Sequence, residues 1–337
     1  MITVPVVGTR RGARRELPRL TARSLLGARP TLATVLAGAV TLFVVATGAS
    51  SGPAFAAIVR TRTVVAVGAE NQYADVIAQI GGIYVTASSI MSNPNTDPHA
   101  FELSPSAAEV VSTARLVVQN GLGYDGFMNK IEAASPSSTR KVVDVQTLLG
   151  LPDSTANPHL WYSPKTMPAV ARAIAADLAG LLPAHAAYFE ARLRSFDSSL
   201  QPWYRAIARV KTMFPDAPVA TTEPVADYML EAAGIDNRTP WTLQADIMNG
   251  VDPSPQGISL EQSLITRHEV KAFLYNRQVT DSITESLLAL ALRNHVPVVA
   301  VYETMPTPGY DYASWMLAEV DALEHALAHR QSTTKLG

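Results

Sequence analysis

The sequence predicts an α/β protein built as two βαβ lobes joined by a long spine helix, and three observations carry that reading. Short β-branched runs alternate with segments of helical spacing along the chain after residue 56, the pattern of parallel sheets covered by helices. A single apolar stripe, Phe189, Leu193, Phe196, Leu200, Trp203, Ile207, Val210 and Phe214, divides that alternation in two, with spacings of four and three throughout. The chain has 337 residues, 47% of them hydrophobic, enough to bury a sizeable core in two domains of the usual ~100–200 residues.

Residues 1–56 read as an export signal. Arg10, Arg11, Arg14, Arg15, Arg19, Arg23 and Arg29 form a positive stretch with Glu16 as its one acid, Thr31 to Ala49 is apolar, and Ala54-Phe55-Ala56 offers a small-residue cleavage site. Cleavage would leave a periplasmic or extracellular protein; an uncleaved signal would tether it to the membrane. The expected organisation is then an N-terminal lobe over 57–183, a linking helix over 184–214 and a C-terminal lobe over 215–337. After residue 56 the chain keeps 20 of its 27 basic and 28 of its 29 acidic residues, a balance that excludes a nucleic-acid partner. There is no cysteine, so neither a disulfide framework nor a lipid-modified cysteine is available.

Taken in order, Thr63 to Gly68 reads as a strand, Asn71 to Ile80 as a helix closed by Gly81-Gly82, and Ile83 to Ser88 as a second strand. A helix from Ser104 to Ser112, a strand over Leu116 to Gln119, a helix from Tyr124, a strand over Val142 to Val145 and a helix from Ser163 to Leu182 complete the first lobe. The spine from Ala184 to Phe214 would extend about 45 Å as one helix. Pro202 removes a backbone hydrogen bond inside it, so a bent spine or two helices end to end is expected. In the second lobe the strands are Ala217 to Thr221, Val270 to Tyr275 and Pro297 to Val301. Its helices are Val225 to Ala233, Ser282 to Asn294 with a Ser282-x-x-Glu285 capping box, and Tyr312 to His329. Asp236 to Gly257, rich in Pro, Asn and Gly, reads as loop.

Two loops repeat a pattern. Asp97-Pro98-His99 is followed by Phe101 and then Ser104-Pro105; Asn157-Pro158-His159 is followed by Trp161 and then Ser163-Pro164. Proline fixes its own φ and restrains the residue before it, so each imidazole rides on a pre-set backbone, and each Ser-Pro pair has the form of a helix start. Ligands of open α/β sheets gather beyond the carboxyl ends of strands. Two loops of the second lobe place a carboxylate there: Glu223 in Thr221-Thr222-Glu223-Pro224 and Glu303 in Val301-Tyr302-Glu303-Thr304. Two imidazoles and two carboxylates facing one another would make a nitrogen and oxygen site for a first-row divalent metal. Asp311, in a nearby Pro- and Gly-rich loop, is an alternative fourth ligand. Asp281 opens a helix and complements its dipole instead, and His185, His268, His295, His325 and His329 sit on polar faces or helix ends, where they are expected to be solvated. Asp97 or Asn157 would orient the imidazoles, which must be neutral to bind, so affinity should fall as pH drops through ~6.5.

These residues resemble the metal-binding receptors of zinc and manganese ABC importers. The resemblance rests on Asn95 to Glu102, Asn157 to Pro164, the spine, Thr222 to Gly234, and Glu303-Thr304-Met305-Pro306 through Tyr312-Ala313-Ser314-Trp315-Met316. It implies two lobes with the metal held at their interface, and His99, His159, Glu223 and Glu303 as its ligands, Glu303 falling where the family usually carries Asp. It also implies a monomeric receptor that hands Zn2+ or Mn2+ to a membrane permease and is not an enzyme. Two carboxylates favour a hard ion such as manganese, whereas intrinsic affinities place zinc above it. A secreted metal-dependent hydrolase is the alternative, but it needs an open coordination position and a general base.

Overall fold

The sheet order explains where a site can form. In the computed structural model, which describes residues 63–93 and 104–336, two separate four-stranded sheets are fully parallel and share one strand order. The first runs β2-β1-β3-β4, from β1 (Val64–Glu70), β2 (Val85–Met91), β3 (Leu116–Gln119) and β4 (Lys141–Asp144). The second runs β6-β5-β7-β8, from β5 (Pro218–Thr221), β6 (Asp236–Asn237), β7 (Ala272–Asn276) and β8 (Val298–Val301). Parallel sheets are covered on both faces, and β3, β7 and β8 are accordingly buried at every position. The predicted class, two α/β lobes, is therefore what the chain adopts. The predicted signal over 1–56 and the His99 loop lie outside the described residues.

Helices α1 (Asn71–Gly81), α2 (Pro105–Thr113), α3 (Gly126–Ala134), α4 (Val145–Leu148) and α5 (Thr166–Leu181) dress the first sheet. Ser104 caps α2 by accepting from the Ala107 N–H, with Pro105 at the first turn, as its Ser-Pro pair predicts. The second Ser-Pro pair behaves differently. Leu160–Tyr162 forms a 3-10 turn, so α5 starts only at Thr166, without a side-chain cap.

The apolar stripe divides at Pro202 into α6 (Ala186–Ser199) and α7 (Gln201–Met213), end to end. Proline sits in the first turn of α7, where its missing N–H costs nothing. Helix α6 packs on α5 and α1, whereas α7 packs on α12 (Tyr312–His329) of the second lobe. One hydrophobic core consequently runs through both lobes, with Phe189, Phe196, Trp203, Tyr312 and Trp315 near its middle, all essentially inaccessible.

The second lobe departs from the sequence reading in the stretch expected to be loop. It contains β6, α9 (Trp241–Met248) and the start of α10 (Pro255–Thr266). The Pro residues there are helix starts: Pro240 is the N-cap of α9, and Pro255 opens α10 behind Ser254, which caps by accepting from the Gly257 N–H. The expected capping box at Ser282 shifts by one residue. Asp281 caps α11 (Ser282–Arg293), accepting from the Ile283 and Thr284 N–H groups, and Thr284 completes the box. Beyond α12, residues 332–336 lie along β8, with Thr333 bridging Val299 in parallel and the Leu336 N–H donating to the Tyr302 hydroxyl.

Candidate metal centre

Glu223 stands two residues beyond β5 and Glu303 two residues beyond β8, with 2% and 0% exposure. In the sheet, β7 runs between those strands, and it ends on the buried Asn276. The Asn276 amide nitrogen donates to Glu223 Oε1 at 3.1 Å and to Glu303 Oε1 at 2.7 Å, so the two carboxylates share one donor. His159, fully buried in the first lobe, faces this pair, with Nε2 3.3 Å from Glu303 Oε2. Of the four sequence-predicted ligands, the structure thus sets His159 against Glu303 and links Glu303 to Glu223 through Asn276. Among the described residues, no three His, Asp or Glu side chains are gathered closely enough to hold an ion by themselves.

Asn157 fixes the imidazole. Its Nδ2 donates to the Pro224 carbonyl at 2.8 Å, which leaves Oδ1 to accept from the His159 backbone N–H at 3.0 Å and to face His159 Nδ1 at 2.8 Å. The proton therefore belongs on Nδ1 and the lone pair on Nε2, the tautomer of a metal-ligating histidine. Nε2 then points one acceptor at another, the Glu303 oxygen, an arrangement that asks for a proton or a cation between them. Asn157 also ties the lobes together, because Tyr228 of α8 (Asp227–Ala232) donates its hydroxyl to the Asn157 carbonyl at 2.9 Å.

Aromatic rings wall the imidazole. Trp161, the residue singled out two places after His159, meets the ring edge-on at 5.4 Å, and Tyr124 does so at 5.9 Å. The Tyr124 hydroxyl donates to Glu303 Oε2 at 2.9 Å. Burial, then the charges of Glu303 and Glu70, push its phenol well above 10, so it stays a donor. Glu70 itself ends β1 in full burial with neither oxygen hydrogen-bonded, and burial and then the charge of Asp125 push it well above the usual carboxylate range.

The Glu303 loop is clamped from both lobes. Gln278 Oε1 accepts from the Glu303 and Thr304 N–H groups at 2.5 and 2.8 Å. From α1, Gln72 donates to the Glu303 carbonyl at 3.2 Å, and Asn71 grips Met305 through both its N–H and its carbonyl at 2.9 and 2.8 Å. None of these amides stood out in the sequence; β7 ending at Asn276, between two strands whose ends carry acids, was the available signal. The remaining candidates lie elsewhere. Asp311 is exposed and spent as the α12 cap, accepting from the Ser314 N–H at 2.8 Å, and Asp281 caps α11 as expected. His268, His295, His325 and His329 are exposed, but His185 stacks on Tyr84 with ring centres 3.9 Å apart rather than standing in solvent.

Two parallel-sheet lobes with polar side chains converging at the strand ends define an α/β protein whose candidate site lies where open parallel sheets bind their ligands. The match to known proteins is more specific: the family model of ZnuA, the periplasmic component A of the zinc-uptake complex, covers residues 67–326, and the chain belongs to that family. Relatives include the manganese-binding lipoprotein MntA of Bacillus subtilis, 26% identical over 39% of this chain and 44% of that protein, so the match spans under half of MntA. The high-affinity zinc uptake protein ZnuA of Haemophilus ducreyi is 22% identical over 60% of this chain and 74% of that protein. Among solved structures, the Mn-bound periplasmic metal-binding protein of Candidatus Liberibacter asiaticus superposes with a TM-score of 0.65 over 79% of this chain and 100% of that one, at 17% identity. FpvC of P. aeruginosa, in complex with Ni2+, gives 0.65 over 81% and 99% at 20% identity.

Proposed function

We propose that the protein is an extracytoplasmic receptor that binds a divalent transition metal, Zn2+ or Mn2+, and delivers it to an ABC permease. The observation that carries the reading is the buried approach of His159 Nε2 to Glu303 Oε2, with Glu223 joined to Glu303 through the Asn276 amide in the opposite lobe. A dication is complementary to such a set in charge and in donor type. His99, His159, Glu223 and Glu303 are the proposed ligands, with Asn157, Asn276 and Tyr124 orienting them. The metal is cargo, held in place by the clamped carboxylates and the walled imidazole. Membership in a zinc-uptake family supports a receptor rather than an enzyme, and no observation favours the hydrolase reading.

Export by residues 1–56, action as a monomer and partnership with a permease complete the proposal; no helix among the described residues is long and apolar enough to cross a membrane. The test is metal content of the purified protein, with zinc and manganese affinities measured by chelator competition for wild type and for His99→Ala, His159→Ala, Glu223→Ala and Glu303→Ala. Each variant should lose about 100-fold or more in affinity, given that even residues supporting a metal ligand are worth ~10–100-fold. A His159→Ala or Glu303→Ala protein that binds as tightly as wild type would sink the assignment.

A further inference from the structure

We infer that a cleft at the opposite end of the second sheet from the metal centre is a binding site for a small organic carboxylate. The inference is independent of the receptor reading and uses none of its residues. The cleft opens just ahead of β7 and β8, whereas Glu223 and Glu303 stand beyond the ends of their strands. It holds about 290 Å3. Val270, Val296 and Pro297, all buried, form its floor, and Leu327 in the last turn of α12 forms a wall. Three bases complete the lining: His268, Lys271 and Arg330. Among the described residues no acid lines it, although acids outnumber bases by 28 to 20 after residue 56. Glu269, between two of the bases in sequence, faces Arg267 at 3.9 Å instead. The three basic side chains are exposed, and among the described residues none has a hydrogen-bond or ion-pair partner.

Two of the bases stand on backbone that favours glycine. His268 follows α10 and Arg330 closes α12, with φ of 54° and 56°. A helix end in that conformation is commonly glycine, because a Cβ there crowds the next carbonyl. A cation near a helix C-terminus complements the dipole, which accounts for a base at each end. It does not account for Lys271, which precedes a strand, or for the convergence of all three on one cleft. Charges of one sign between low-dielectric walls focus the field and concentrate counter-ions. Lysine and arginine hold a carboxylate by charge-assisted hydrogen bonds, and the apolar floor covers a hydrocarbon body. The volume lies at the lower end of the ~300–1,000 Å3 usual for small-molecule pockets, so the ligand is a monocarboxylate with a short chain or single ring.

The test uses the full chain and three probes: hexanoate, acetate as the head alone, and hexanol as the body alone. Amide NMR titration should show hexanoate saturating, with shifts at Val270, Lys271, Val296 and Leu327, and the other two probes binding at least tenfold more weakly. Lys271→Gln and Arg330→Gln should each weaken hexanoate about tenfold, the loss of one charge-assisted bond, and leave zinc affinity by chelator competition unchanged. Arg330→Gly suits the backbone at that position, so it should hold or raise the melting temperature while weakening hexanoate equally; its failure to bind cannot then be misfolding. Absence of saturable binding, shifts confined to other parts of the molecule, or equal affinity in wild type and all three variants would overturn the inference. Acetate or hexanol binding as tightly as hexanoate would overturn the assignment of an amphipathic carboxylate. Zinc binding lost in wild type would count against the receptor reading alone.

Discussion

Glu319 makes the stability of this protein fall as pH rises, and the structure gives the size of the effect. The side chain is fully buried on α12, where Oε1 accepts from Trp315 Nε1 at 2.9 Å and from the Tyr162 hydroxyl at 3.1 Å. Burial pushes its carboxyl up to about 8, outweighing those hydrogen bonds, which favour the ionised form. In an unfolded chain the same group titrates near ~4.3. Between those values the folded protein keeps a proton that the unfolded chain has released. Stability contributed by the neutral group is thus fully present below ~4.3 and is lost as pH climbs towards about 8, at up to ~1.4 kcal/mol per pH unit. Across the window that is on the order of 5 kcal/mol, against a net stability of ~5–15 kcal/mol for a typical protein.

Glu319→Gln keeps the shape and one acceptor but cannot ionise. Urea denaturation from about pH 5 to about pH 8, with a chelator present to remove metal linkage, should show the variant gaining on wild type at each step. It should retain a shallower slope of its own, because burial also pushes Glu261 of α10 up to about 8. Parallel stability curves for the two proteins would show that Glu319 is already ionised in the native state and would refute the reasoning.

Asn71→Ala should cost about 2–4 kcal/mol in urea denaturation, since it leaves the buried N–H and carbonyl of Met305 without their shared partner. The same change should loosen Glu303 and weaken metal binding. Gly68→Ala should cost about 3 kcal/mol or more, because a Cβ there would run into the backbone of α1 at Tyr73 and Ala74, which cannot give way. Gly180→Ala, at an exposed position of α5 where a Cβ meets nothing, is the matched control and should raise stability by about 0.5 kcal/mol. Thermal melts of the pair would check both signs.

What could be read from the sequence depended on how local its cause was. Leu116–Gln119 and Tyr312–His329 appear at the predicted residues because a β-branched run and a long periodic stripe are signals within one segment. His159, Glu223 and Glu303 were legible for a similar reason: each sits at a fixed place in a loop next to a recognisable element. Asn276 was not, since its importance comes from β7 lying between β5 and β8, and strand order is a property of the folded sheet. The grips of Asn71, Gln72 and Gln278 on the Glu303 loop likewise join residues far apart in the chain through side-chain to backbone bonds, which leave no periodic trace. Helices α9 and α10 were missed where Pro240 and Pro255 read as loop punctuation although each opens a helix. Proline is equally at home in both settings.

The segment over 332–336 has a colloidal consequence. Strand β8 is the edge of its sheet and consists of Val298, Val299, Ala300 and Val301, all buried. A bare edge of that composition offers unpaired amides on an apolar strand, a template on which another copy could add its own strand. Here the seats are taken: the Ala300 N–H donates to the Thr333 carbonyl at 2.7 Å and the Thr333 N–H to the Val298 carbonyl at 2.8 Å. A few residues that contribute no ligand and little core thus keep the strand leading to Glu303 from serving as a seed for aggregation.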